Sequence, residues 1–211
     1  MIDPFALADA FGVDAVRYFF LREVPFGQDG SYSPESIINR TNADLANDLG
    51  NLAQRSLSFV AKNCEGRVPT PGAFAAADTA LLAAADAMIN TAREAMKTQQ
   101  LHTVLATAWS VVGDANRYFA GEAPWALKKT DPVRMATVLY VTLEVIRQVA
   151  ILAQPFVPRG AGQLLDFVGV AADARGFDRL SAAGRLKPGT ALPAPQPVFP
   201  RYVDPDAPAR A

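Results

Sequence analysis

Cysteine occurs once in the 211 residues, at Cys64, which excludes an internal disulfide and a thiolate zinc site and leaves a small apolar filler. Histidine also occurs once. With no second His or Cys to share a metal, His102 reads as a helix-surface or satisfied core residue. There is no Gly-rich phosphate loop, HExxH helix or Cys–His–Asp arrangement, and no spacing singles out a pair of carboxylates for acid–base work. Internal repeats and strand-like alternation are missing too. Neither sign of charge dominates: the net charge of −1 argues against binding driven mainly by phosphate charge, yet leaves room for recognition at one spot. The most apolar run, Val133 to Phe156, is broken by Glu144 and Arg147, which argues against a membrane span. Asp3, Asp9 and Asp14 stand where a signal peptide would be basic and then apolar. A soluble, cytoplasmic chain without membrane or DNA partners is expected.

What is present is helix. Half of the residues are hydrophobic, enough for a sizeable core in one domain with an appendage or in two small ones. The stretch Ser33 to Lys62 opens on a cap, Ser33, and a first-turn proline, Pro34. Ile38, Leu45, Leu49, Leu52, Phe59 and Val60 then fall on one stripe of a helix spanning on the order of 40 Å. Gly50 interrupts it at a cost of about 1 kcal/mol relative to Ala. Asn47, Asn51 and Arg55 recur every four residues, which stacks them along one edge, with Asn51 and Arg55 on the shoulder of the apolar stripe. An amide and a guanidinium there suit the edge of a nucleobase. Taken alone, a solvated polar shoulder is the commoner meaning of such a pattern.

Asp3 and Pro4 repeat the cap-then-proline device for a short helix Pro4 to Ala10, ending at Gly12, and Asp14 to Arg22 reads as a second with Val16, Phe19 and Phe20 inward. A Pro- and Gly-punctuated loop, Val24 to Ser33, leads to the long helix. Phe5, Phe11, Tyr18, Phe19 and Phe20 are too many for two small helices to bury, so this connector is expected to pack partly on the bundle. After a turn-rich link, Cys64 to Gly72, come helices near Ala76 to Thr98, with Met96 on its stripe, and Leu101 to Phe119, ending in Gly121. Pro124 then sets Trp125 at a corner, followed by Lys128 and Lys129. That is a shape for base stacking beside phosphates, although a Trp capping the core is the commoner case. Asp131 and Pro132 start the most apolar helix, Val133 to Gln154, and Pro158 to Val168 closes the bundle. One further turn is expected at Arg175 to Leu180, and a proline-rich, extended tail after it. The fold expected is all-α: a connector (1–32), an antiparallel helical bundle (33–168) and a C-terminal tail (169–211).

Three blocks carry a resemblance: Ile2 to Gly30, Asn47 to Arg55 (NDLGNLAQR) and Ala115 to Lys129 (ANRYFAGEAPWALKK). In this order and spacing they are similar to the C-terminal part of bacterial methionyl-tRNA synthetases, from Ile2 to about Phe167, with an echo at Val198 to Arg201. The resemblance implies an all-helical anticodon-binding domain of the class I type, entered through a connector that follows the catalytic domain. It further implies that Asn51, Arg55 and Trp125 contact the CAU anticodon of the methionine tRNA, chiefly its first base, with Pro124 shaping the corner and Lys128 and Lys129 available to phosphates. It reverses the bland readings given above for these residues. The HIGH and KMSKS signatures of the ATP site do not occur. ATP, methionine and any zinc are therefore expected to bind a catalytic part outside this chain. The chain is expected to be a fragment or a relic of a synthetase, unable to activate methionine alone. Another class I synthetase's bundle, or a protein-interaction bundle that no longer binds RNA, are the rival readings.

Overall fold

The computed structural model describes residues 3–203, so Met1, Ile2 and residues 204–211 at the end of the proline-rich tail lie outside it. The helices that start at Pro4, Pro34 and Pro132 begin where a capping side chain and a proline coincide. Asp3 accepts the Phe5 N–H at 2.9 Å to start α1 (Pro4–Phe11), and Gly12, at φ 83°, turns the chain into α2 (Val13–Glu23). Ser33 caps α3 (Pro34–Arg40) by accepting the Ser36 N–H at 3.1 Å. The helix then widens into a π segment, Thr41–Gly50, before resuming as α4 (Asn51–Asn63).

That π segment corrects the strict 3.6-residue reading. A π turn takes in an extra residue, so upstream of it the fully buried position is Ile37, while Ile38 is half-buried. Ile37 meets Leu7 and Phe19 in a small second core between connector and long helix, flanked by Phe11 and Phe20. The expected packing of the connector is thus found for these rings. Phe5 is the exception, 80% exposed.

The main core lies among α5 (Ala76–Lys97), α6 (Leu101–Glu122) and α8 (Pro132–Ala153), which pack mutually, with α4 against α8. Small residues on the facing stripes, Ala85, Ala92, Ala108 and Ala115, are all buried and let these helices approach closely. Met96, expected inward, is exposed near the end of α5. By length and composition α8 could cross a membrane, but 94% of its most apolar window is buried inside the protein. Its Glu144 and Arg147 are buried with it and pair at 2.5 Å, so charges read as interruptions are core residues that neutralise each other.

Helix α6 does not stop at Gly121. It runs to Glu122, and Ala123 takes the left-handed turn at φ 45° before α7 (Pro124–Thr130). Pro124 therefore starts a helix, and Trp125 sits in its first turn. α9 (Pro158–Phe167) closes the bundle. Beyond it, a 3₁₀ turn at Phe177–Arg179 falls within the turn expected at Arg175 to Leu180, and two more, Ala172–Ala174 and Ala182–Gly184, flank it. The tail runs back over the bundle: Val68 donates to the Thr190 carbonyl at 2.9 Å, and Tyr202 donates to Asn42 Oδ1 at 2.8 Å. Among the described residues there is no strand, only one antiparallel bridge between Arg67 and Ala191.

Candidate nucleic-acid interface

Arg55 lies on the exposed shoulder of α4, one turn beyond Asn51, which is exposed as well. Its guanidinium carbon sits 5.1 Å from the centre of the Phe119 ring and 5.8 Å from that of Trp125. The two rings meet edge to face, 6.0 Å apart. Phe119 is buried at the end of α6, whereas Trp125 is 49% exposed, so one ring is floor and the other is platform. Residues 70 positions apart in sequence thus form one cluster, with a cation held against two aromatic faces.

Asn51 faces a shallow cavity of about 380 Å³ that it shares with Asn47, Gly50, Gln54 and the tail residues Phe199 and Arg201. Arg201 donates to Asn47 Oδ1 at 3.2 Å. Asn47 falls in the π segment and pairs with the tail rather than standing in one regular row with Asn51 and Arg55.

Pro124 is buried and anchors the start of α7. Lys128 and Lys129 follow Trp125 by three and four residues, on the same side of that helix, both exposed in its last turn. Cations there also suit the negative end of the helix dipole. Among the described residues neither lysine is within ion-pair distance of a carboxylate.

Three features escaped the sequence reading. Phe119 was legible as core but not as the floor under Arg55 and Trp125. Trp109, buried at the middle of α6, donates its indole N–H to the Asp44 carbonyl at 2.9 Å and so fixes the π segment. The Asp44 carboxylate accepts from Tyr18 at 2.7 Å, and burial, followed by the Asp44 charge, pushes the Tyr18 phenol far up. Arg134 joins Asp78 to Glu122, the last residue of α6. No local pattern marks any of these, because each partner comes from a distant helix. Among the described residues no three His, Cys, Asp or Glu side chains gather to hold a metal. Cys64 is half-buried, and burial raises its thiol.

The family model described as the anticodon binding domain of methionyl tRNA ligase matches residues 68–209, and that of class I tRNA synthetases (M) matches residues 1–57. The candidate site straddles the two, with Asn51 and Arg55 in one match and Trp125 in the other. The chain is 64% identical over 206 residues to the methionine–tRNA ligase of Brucella suis biovar 1, covering 98% of this chain and 40% of that protein. It is 56% identical over 212 residues to that of Mycobacterium tuberculosis H37Rv, covering 99% and 40%. It therefore spans about two fifths of the length of these curated relatives. Among solved structures, free Mycobacterium tuberculosis methionyl-tRNA synthetase superposes with a TM-score of 0.93 at 56% identity, over 97% of this chain and 42% of that one. The same enzyme in complex with methionyl-adenylate gives 0.92, over 95% and 40%. By its sequence and by its fold, the chain belongs to the family of methionyl-tRNA ligase anticodon-binding domains.

Proposed function

We propose that this chain reads the CAU anticodon of the methionine tRNA as part of a cytoplasmic methionyl-tRNA synthetase. The whole enzyme would use ATP to join methionine to that tRNA, and a catalytic domain would be this bundle's partner. ATP and methionine, with any zinc, would bind that domain, and this part would supply the choice of tRNA. The observation that carries the reading is the Arg55 guanidinium seated over Phe119 and the half-exposed Trp125, one turn from exposed Asn51.

The first anticodon base, splayed from the loop, would stack on the open face of Trp125. Its Watson–Crick edge would meet Asn51 and Arg55. A cytosine offers two acceptors and an amino donor along that edge, matching guanidinium donors and an amide oxygen. A uracil at the same place turns a donor toward the guanidinium and leaves groups unpaired, which is the expensive outcome in a desolvated contact. Because both rings already restrain Arg55, less side-chain freedom is lost on binding.

Titration with anticodon stem-loops bearing C, U or A at the first position tests this. Trp125→Ala should weaken binding by about 1–3 kcal/mol. Asn51→Ala and Arg55→Ala should chiefly erase the preference for C. Replacing Lys128 or Lys129 should weaken all loops alike and lower the salt slope by under about one unit each. Equal binding of the three loops by the unaltered chain would sink the proposal.

A further inference from the structure

Helix α7 lies along α8, with Leu127 half-buried against the main core. It is seven residues long, and Pro124 is its buried residue. A helix so short is not stable by itself. Yet the proposed reading asks its Trp125 to present one face at a fixed angle.

A second restraint, beyond this packing, comes from the two ends. Glu122 immediately precedes the Ala123 turn, and Arg134 lies in the first turn of α8, just past α7. Arg134 donates from Nε to Glu122 Oε2 at 3.1 Å, with Nη2 in ion-pair range of the same oxygen at 2.8 Å, closing a loop around α7. The same guanidinium is bonded on its other side to both carboxylate oxygens of Asp78, with Nη2 to Oδ1 at 2.8 Å. Asp78 is wholly buried and also accepts from the Tyr118 hydroxyl at 2.5 Å and the Ala75 N–H at 2.8 Å. Three helices are thereby fastened to one point: α5 through Asp78, α6 through Glu122 and Tyr118, and α8 through Arg134. The fastening lies three residues from Trp125 in sequence and continues through Phe119, one turn before Glu122, to the ring contact beneath Trp125.

Building on the anticodon reading, we propose that Glu122 and Arg134 are positioning residues for recognition: their bond, tied to Asp78, clamps α7 so that Trp125 is presented ready to stack. Neither residue needs to touch the RNA.

Glu122 gives the clean test, because its replacement leaves Arg134 on Asp78 and spares the buried carboxylate. Glu122→Gln removes charge, and Glu122→Asp keeps charge but withdraws the carboxylate. Trp109 is buried and Trp125 half-exposed, so iodide-quenchable emission reports on Trp125. Both variants should lower the anisotropy of that emission, without RNA, while the thermal midpoint of the bundle holds. Both should weaken binding of the C-bearing stem-loop by about three- to tenfold, the range of ordinary coupling between neighbours. An acid merely facing RNA behaves oppositely, since its neutralisation strengthens binding. In a Trp125→Ala background the loss should vanish. Unchanged anisotropy, tighter binding by Glu122→Gln, or the same loss with and without Trp125 each overturns the clamp. If the anisotropy falls but the unaltered chain shows no preference among loops, the anticodon reading fails and the clamp stands.

Discussion

Asp78 shows how a single side chain can be wholly buried and still favour its charged form. Burial by itself would raise its carboxyl, but hydrogen bonds from Arg134, Tyr118 and the Ala75 N–H, with the Arg134 charge, outweigh this and hold it below the usual carboxylate range. Burial and the bond to Asp78 in turn push the Tyr118 phenol up. The sign of the consequence follows from linkage. The unfolded chain takes up the proton first, so the charge of Asp78 stabilises the fold fully above the ordinary carboxylate pKa, and that contribution is lost as pH falls through the depressed folded value. The stability gap between the unaltered chain and Asp78→Asn should therefore be widest near neutral pH and narrow below about pH 4. Urea midpoints measured from pH 7 to 3 check this, and a gap that stays constant would mean that the carboxylate acts by shape and not by charge. Nothing in the sequence flags Asp78, which reads there as an ordinary residue near a helix start. Asn51, Arg55 and Trp125, by contrast, were legible as candidates because their motifs are short and contiguous. The meeting of Arg55 and Trp125 over Phe119 was not, since periodicity tells which face is buried and not which rings meet across two helices.

At the scale of the element, the helix starts were readable and the π segment was not. Asp3, Ser33 and Asp131 each cap a helix whose next residue is proline, a device that works entirely within a few residues. The widening at Thr41–Gly50 depends instead on partners from elsewhere: Trp109 on the Asp44 carbonyl, Tyr18 on its carboxylate, and Asn116 donating to the Asp48 carbonyl at 3.2 Å. The same limit applies at Glu122, where the bond to Arg134 keeps the residue in α6 and moves the turn from Gly121 to Ala123. Gly50 makes the point quantitatively. Helix propensity says that Gly50→Ala should stabilise by about 1 kcal/mol. In place, however, an added Cβ would lie 2.8 Å from the Leu45 carbonyl oxygen and 3.4 Å from Phe199 Cβ of the tail. The expected outcome is therefore reversed: Gly50→Ala should lower the urea midpoint and loosen the tail, seen as faster amide exchange at Tyr202, whose N–H is held by Asn42. A stabilised variant with an undisturbed tail would show that the π turn is dispensable.

Across the whole molecule, α8 is the column against which α4 to α7 and α9 pack, and it also carries the charges that fasten the chain's last third. Glu144 takes the Arg147 Nη2 at 2.5 Å, the Arg185 Nη1 at 3.1 Å and the Leu186 N–H at 2.9 Å. Arg147 donates onward to the Arg179 carbonyl at 2.7 Å, and Arg185 reaches Asp86 of α5 at 2.7 Å. The tail after α9 was expected to be extended and was given no partners, because these bonds join residues more than 30 positions apart and leave no trace in composition. The arrangement separates two roles that one substitution would confuse. Glu144→Leu alone leaves Arg147 buried without its counter-charge and should cost about 3–5 kcal/mol. The double variant Glu144→Leu with Arg147→Met removes both charges and keeps the volume apolar, so the bundle should recover most of that stability. The tail should not recover, since its acceptor for the Leu186 N–H and its donor to the Arg179 carbonyl are both gone. Denaturation followed by far-ultraviolet circular dichroism would report the bundle, and hydrogen exchange over residues 179–192 would report the tail. A bundle restored beneath an unprotected tail is the expected result. If the double variant is as unstable as the single one, bundle and tail unfold as one cooperative unit, and the ion pair serves the core only through the chain that it holds down.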